Sequence, residues 1–518
     1  MGISWPVNGV AAVSFVAWVP LLLIHTFIRR NPTIFSRGAT VLYSYVSFLI
    51  FNLFVTWWVA YSTTVGAALA FILNTLFMAL TFGLAHLVDR KVFKEKAGFF
   101  ALIFFWVAYE YLHQNWDLTW SWLVQGNVFS ENPNWVQWYE YTGPLGGSIW
   151  VIAVNILIAK AILRYIDYGK PQYSIVHSVL ALLLIFVPIF FSFHLKNNVV
   201  EGENKENVLL IQPNIEPYDE AYTTPSNELM HNVLDITRKN MDSQTQIVIT
   251  PESSIERTMW ESRITAYPAI DSLRVFFELH PKLSFLMGAS TRRLLAENEY
   301  GKACARPLSD GGFYCNYNTA LFAQKRKQIE FYHKKILVPG VEKMPYTALL
   351  KPLEKYAINL GGTFGTLGCS TEPKLFKINE NAYVAPIICY ESIYGELVGS
   401  FIDEKPSFIA VITNDAWWYD SPGHKQLFSY ARLRAIETRN YVVRAANTGF
   451  SGVINAKGEI LQKTKFYEKT AVKASIPLSI VQTYYSQVGD YLGRLSVFLV
   501  GLLVLVFVSK SLTGRKRY

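Results

Sequence analysis

Seven runs of mostly apolar residues, at about 5–27, 41–60, 65–88, 98–112, 146–166, 174–193 and 491–509, constrain this 518-residue chain more than any other feature. Each is near the length a helix needs to cross hydrocarbon, where backbone polar groups must be bonded within their own segment. With 51% hydrophobic and only 17% charged residues, the chain is not an ordinary soluble protein of this size. The run at 98–112 is short and the last carries Arg494 near its start, departures that tilt and snorkelling accommodate. Arg29 and Arg30 follow the first run, which contains Trp5, Pro6, Trp18 and Pro20 and no small-residue cleavage site. It therefore reads as a retained helix, not a signal peptide.

The positive charges give an orientation. Arg29, Arg30 and Arg37 share one loop, and Arg90, Lys91, Lys94 and Lys96 another. Lys160, Arg164 and Lys170 flank a third, and Lys510, Arg515, Lys516 and Arg517 close the chain. Such clusters belong on the cytoplasmic side, so the formal charge of +9 points to anionic lipid and not to nucleic acid. Alternation then places the loop near 61–64, the Trp-rich loop 113–145 and the block 195–490 outside, in the periplasm of a Gram-negative cell. The expected domains are 1–194, a transmembrane helical domain of about six spans; 195–490, a periplasmic domain; and 491–518, a last transmembrane helix with a basic cytoplasmic tail.

Within 195–490 the pattern changes to short β-rich runs alternating with amphipathic stretches. Strands are predicted at Val208 to Ile211, Gln246 to Thr250, Ser284 to Gly288, Tyr317 to Ala323, Tyr383 to Cys389 and Phe408 to Thr413, with helices near 226–240 and 424–439. That alternation is the pattern of a layered α/β sandwich. Three segments end an apolar strand with a reactive side chain: Ile247-Val-Ile-Thr-Pro-Glu252, Tyr332-His-Lys334 and Ala385-Pro-Ile-Ile-Cys389-Tyr-Glu391. Taken singly, each has a plain structural reading as a core thiol, a helix cap or a solvated lysine. Together they supply a nucleophile, a general base and a cation for an oxyanion, the requirements of acyl transfer through a thioester.

Cys304, Cys315, Cys369 and Cys389 lack zinc-site spacing, so no metal is expected. Cys304 and Cys315 could equally be a small disulfide or two free thiols. No Gly-x-Ser-x-Gly elbow of a serine lipase is present. The stretch Met344 to Phe364, with Tyr346, Leu349, Leu350, Tyr356 and Phe364, reads either as core or as a lid dipping into the membrane interface. Beyond the sixth predicted strand, Trp417 and Trp418 offer a second mobile wall.

In their order and separations the three segments resemble the Glu-Lys-Cys triad of the nitrilase superfamily. The resemblance covers roughly 208–475 and takes in Tyr317-Asn-Thr-Ala320, Thr413-Asn-Asp-Ala-Trp-Trp418 and Asn447-Thr-Gly449. With six helices ahead and one behind, the chain resembles the apolipoprotein N-acyltransferase family over almost its whole length. The resemblance implies a multi-span α-helical membrane bundle joined to an extracytoplasmic α-β-β-α sandwich, working without a cofactor. It implies Glu252 as general base, Cys389 as the nucleophile that takes an acyl chain from a phospholipid, and Lys334 as stabiliser of the tetrahedral intermediate. Glu342, Tyr390 and Glu391 match supporting residues, and the acceptor implied is the α-amine of a diacylated apolipoprotein.

Ile336 stands where family members often have His, and Gly340-Val341 where they have an aromatic residue and Gly, which loosens the placement of Glu342. The family also carries a further helix ahead of the segment beginning Ile3-Ser-Trp-Pro6, so an eighth helix is either dispensable or missing. Two rival readings are a membrane-tethered amidase of the same superfamily and a non-catalytic lipid-binding protein. The orientation is testable: reporter fusions at 94 and 168 should read cytoplasmic and fusions between 200 and 480 periplasmic. A cytoplasmic signal from the latter would contradict it.

Overall fold

The computed structural model describes all residues except 37, 94–98, 217–222, 310, 347–365, 404, 406 and 514–518. The chain divides into two units, Met1–Asn198 with Val488–Tyr518, and Val199–Gln487.

In the first unit helices occupy all seven apolar runs: Val19–Arg30, Ala39–Thr56, Thr64–Val92, Phe100–Gln114, Tyr139–Tyr168, Gln172–Asn197 and Tyr491–Thr513. Among the described residues six segments are long and apolar enough to cross a membrane. Phe100–Gln114 is the exception, since its 15 residues rise only about 22 Å. It is buried instead, with Ala101, Trp106 and Val107 shielded by neighbouring helices. Gln172–Asn197 and Tyr491–Thr513 present exposed apolar side chains such as Phe186, Phe190, Phe498 and Leu505, as helices facing lipid must. Inside the unit, a buried amide ties two helical segments together. Asn155 accepts from the Trp18 N–H at 2.8 Å and donates to the Ser14 carbonyl at 2.7 Å, which satisfies the backbone where the first helix starts.

The second unit contains two sheets. The first is built from β1 (Lys205–Gln212), β2 (Ile247–Ile249), β3 (Ile255–Trp260), β4 (Ser284–Leu294), β5 (Arg306–Pro307), β6 (Phe313–Gln324) and β7 (Glu330–His333). The second has β8 (Phe376–Asn379), β9 (Ala382–Ile388), β10 (Ser407–Thr413), β11 (Val442–Ala446), β12 (Gly452–Ile454) and β13 (Ile460–Lys463). The last strand, β14 (Thr470–Pro477), returns to the first sheet beside β1, giving the orders β14-β1-β2-β4-β6-β5 and β13-β12-β11-β10-β9-β8.

Helices Ser226–Asn240 and Pro268–Leu279 cover the first sheet, with Met230, Leu234, Ile270 and Phe276 packed on Val248 and Phe285. Pro422–Thr438 lies by the second sheet. β10 is buried at every position, as expected of a strand covered on both faces, and so its sequence from Phe408 to Ile412 is continuously apolar. The result is the expected α-β-β-α sandwich. β1, β2 and β4 run parallel, as do β9, β10 and β11, so loops leaving their carboxyl ends collect on one edge, the usual place for a site in such sheets.

The six predicted strands and two predicted helices all form. β4 and β6 extend beyond prediction because they pair antiparallel from Ser284↔Gln324 to Leu294↔Tyr314. β13 was not foreseen: it is exposed along its whole length and shows no apolar alternation.

A cross-sheet hydrogen bond offers a test of this packing. Asn379 of β8 donates to Glu206 of β1 at 3.1 and 3.3 Å. Burial pushes the Glu206 carboxyl up to about 7, only partly opposed by Asn379. A carboxyl raised in the folded state contributes stability below its unfolded value and loses it as pH rises through about 7. Glu206→Gln should therefore raise the unfolding temperature at pH 8 and leave it near wild type at pH 4, read by thermal unfolding of the purified protein.

Candidate active site

Three loops bring the site together. Thr250 and Pro251 carry the chain from β2 to Glu252, Lys334 directly follows β7, and Cys389 directly follows β9. Cys389 opens the short 3-10 helix Cys389–Ile393 with φ of 51°, a left-handed conformation costing a non-glycine residue about 1–2 kcal/mol. Surrounding bonds impose it. Glu391 accepts from the Ile388 N–H at 2.8 Å with one oxygen and from Tyr332 Oη at 2.8 Å and the Lys335 N–H at 2.6 Å with the other. This buried carboxylate thus ties the Cys389 turn to the segment that carries Lys334. At the far end of the turn, the buried Arg434 donates to the Ser392 and Ile393 carbonyls. Tyr390 is buried and packs edge-on against Tyr394 at 5.3 Å.

The polar centre is Lys334, 1% exposed. Its Nζ donates to Glu342 Oε1 at 2.9 Å and Glu252 Oε1 at 3.3 Å. Asn318 of β6 donates to the same two oxygens, at 2.9 and 2.7 Å, and so sets the spacing of the carboxylates. The second oxygen of Glu252 accepts from the Asn414 N–H at 3.0 Å, and that of Glu342 from the Val338 N–H at 2.8 Å. Glu252 also needs room behind it: a Cβ on Gly288 of β4 would stand 2.4 Å from the Pro251 carbonyl and 2.5 Å from Glu252 Cα.

These surroundings fix the charges. Burial disfavours the Lys334 ammonium, but Glu252 and Glu342 outweigh it and hold the group above its ordinary value. Lys334 is therefore a permanent cation and no base. Burial pushes the Cys389 thiol up, the Glu252 carboxylate adds to this, and Lys334 only partly offsets it. The resting thiol is protonated and needs a base to become a nucleophile. Burial also raises Glu391 to about 7 despite its hydrogen bonds. A fixed cation, a carboxylate whose second oxygen accepts from a backbone N–H, and a buried thiol can together carry out nucleophilic acyl chemistry.

Of the expected site residues, the structure brings together Glu252, Lys334 and Cys389 with Glu342, Glu391 and Tyr390. Trp417 and Trp418 are half-buried in the 3-10 helix Asp415–Trp418, just beyond Asn414. Tyr346 is 43% exposed, whereas Leu349, Leu350, Tyr356 and Phe364 lie outside the described residues. Cys304 and Cys315 are joined as a disulfide. Among the described residues no group of three or more His, Cys, Asp or Glu could hold a metal ion.

Sequence reasoning missed Asn318, Tyr332 and Asn414 as site residues. It also missed Asn447, which bonds both the N–H and the carbonyl of Ile215, at 2.9 and 2.7 Å, and donates to Asn414 at 3.3 Å. A signal existed for Asn318, a strand-disfavoured amide inside an apolar strand.

Residues 1–157 match the family described as apolipoprotein N-acyltransferase N-terminal domain, and 208–485 match carbon-nitrogen hydrolase. The chain is 27% identical to the apolipoprotein N-acyltransferase of Chlorobaculum tepidum over 98% of its own length and 94% of that protein's. It is 24% identical to apolipoprotein N-acyltransferase 1 of Treponema denticola, over 97% and 93%. An amidase structure from Nesterenkonia sp. matches 57% of the chain and 98% of its own, at 15% identity and a TM-score of 0.37. With both domains matched in one polypeptide and relatives aligned nearly end to end, this chain belongs to the apolipoprotein N-acyltransferase family, acyltransferases of bacterial membranes with a carbon-nitrogen hydrolase catalytic domain.

Proposed function

We propose that the protein moves a fatty acyl chain from a membrane phospholipid to Cys389 and then to the α-amine of the N-terminal diacylglyceryl-cysteine of an apolipoprotein. Glu252 takes the Cys389 proton as the sulfur attacks the ester carbonyl, and Lys334 neutralises the oxyanion. Collapse expels the lysophospholipid alkoxide, which recovers the proton from Glu252, and leaves a thioester. The acceptor amine then attacks that carbonyl, yields its proton to Glu252, and the departing Cys389 sulfur takes it back. The observation that carries this reading is the buried Lys334 cation, paired with Glu252 beside a protonated thiol, in a chain that also has six membrane-length helices among its described residues.

Glu342, Glu391 and Tyr390 hold the three groups in place in this reading. In the same reading Tyr346, Trp417 and Trp418 line the lipid-binding side. We assign 1–194 to the bacterial inner membrane, 195–490 to the periplasm and 491–518 to a last span and cytoplasmic tail, in agreement with the charge pattern of the loops.

Cys389→Ala should abolish both acyl adduct and product. Glu252→Gln should slow acylation by about 100-fold or more, as loss of a general base does, and Lys334→Met should be impaired comparably by loss of oxyanion stabilisation. Single-turnover assays with labelled phospholipid read all three, and full activity in Cys389→Ala would refute the mechanism. Supplied with phospholipid alone, the wild-type adduct should persist, then discharge when a diacylated lipopeptide with a free amine is added. An N-acetylated lipopeptide should leave it in place. Rapid release of free fatty acid without any lipopeptide would instead identify an amidase-like hydrolase.

A further inference from the structure

Cys389 has a polar neighbour that the triad chemistry does not use. β9 and β10 run parallel with Ile388 beside Ile412, so the next residues, Cys389 and Thr413, stand side by side at the strand ends. Thr413 Oγ1 donates its proton to Asp415 Oδ1 at 2.9 Å, and a hydroxyl has only one. With that proton given to Asp415, the Thr413 hydroxyl can only accept from the neighbouring resting thiol.

Asp415 Oδ1 also accepts from Arg444 Nη2 at 2.8 Å. Arg444 is in register with Val411 of β10 and so reaches Asp415 from the face that carries Thr413. Thr413, Asp415 and Arg444 are all 0% exposed. The Phe428 ring lies 5.8 Å from the guanidinium. A Cβ on Gly449 would stand 1.9 Å from Asp415 Oδ2, which explains the glycine of Asn447-Thr-Gly449. Burying an ion pair costs more desolvation than apolar residues of equal volume, so its position directly behind the thiol calls for a role.

We propose that Thr413, aimed by Asp415 and Arg444, is a hydroxyl switch for Cys389: it accepts from the thiol at rest and swings its single proton from Asp415 to the thiolate as Glu252 takes the Cys389 proton. The inference rests on the reading of Cys389 as nucleophile. No covalent bond of Thr413 changes, and Asp415 stays neutralised by Arg444 while its hydroxyl donor is turned away. The charged groups facing the thiol are Glu252, Lys334 and Asp415, with Glu391 on its own turn. Those facing Asp415 are Arg444 and, from Pro422–Thr438, His424, whose imidazole burial keeps neutral by lowering it from its ordinary range.

The test follows iodoacetamide alkylation of Cys389 against pH, by peptide mass spectrometry on the full-length protein in detergent. A Cys369→Ser background removes the other free thiol. Thr413→Val should raise the midpoint of the profile and slow alkylation about tenfold at pH 8, the worth of one hydrogen bond to a charged group. Thr413→Ser should stay near wild type, and Asp415→Asn should shift the profile in the same direction by less. If Thr413→Val is not recovered folded, Thr413→Ala carries the same expectation. A Thr413→Val profile that superimposes on wild type overturns the switch, as does a Thr413→Ser shift as large as that of Thr413→Val. An unmoved Asp415→Asn profile overturns the aiming role of the ion pair. Failure of wild-type Cys389 to alkylate at any pH would remove the nucleophile reading as well.

Discussion

The Lys334 ammonium, buried between Glu252 and Glu342, is the interaction on which the rest of the site depends. A lone ammonium at that depth would lose its proton, and two carboxylates bridged only by Asn318 would repel each other. The ammonium keeps its charge because both carboxylates are present. Removing one partner from such a cluster typically costs about 3–5 kcal/mol, so the three form one unit and are not three independent contacts. The same unit bounds the chemistry, since a locked cation cannot serve as base; in the proposed reaction that task falls to Glu252.

The scaffold's part is to deliver these groups within a few ångströms from distant places in the sequence. Parallel strands in both sheets end on one edge, and β7 ends beside them through its pairing with β6. Cys389 leaves β9 in a left-handed turn, and the strain is held by Glu391 on one side and Arg434 on the other. Asn447 and Asn414 extend the arrangement by linking the loops after β1, β10 and β11 to the carboxylate of Glu252. The geometry around Cys389 is therefore a property of the sandwich as a whole.

Much of this was legible in the sequence. The apolar runs marked the helices because hydropathy and length suffice for that, and Glu252, Lys334 and Cys389 stood out because each follows a strand with a reactive group. Phe100–Gln114 was harder, since burial among helices and contact with lipid select the same residues. Tyr332, Asn414 and Arg434 were hidden because their roles are hydrogen bonds to backbone groups or carboxylates remote in sequence, which leave no local periodicity. The Cys304–Cys315 pairing likewise depends on where β5 and β6 meet, not on spacing.

The central claim is that the acyl group rests on Cys389 as a thioester. Its most direct test is peptide mass spectrometry of the wild-type protein after incubation with a phospholipid bearing an isotope-labelled acyl chain, before and after neutral hydroxylamine. The account predicts one labelled chain on the Cys389 peptide, removed by hydroxylamine. A label on any other residue, or one on Cys389 that resists hydroxylamine, would contradict it.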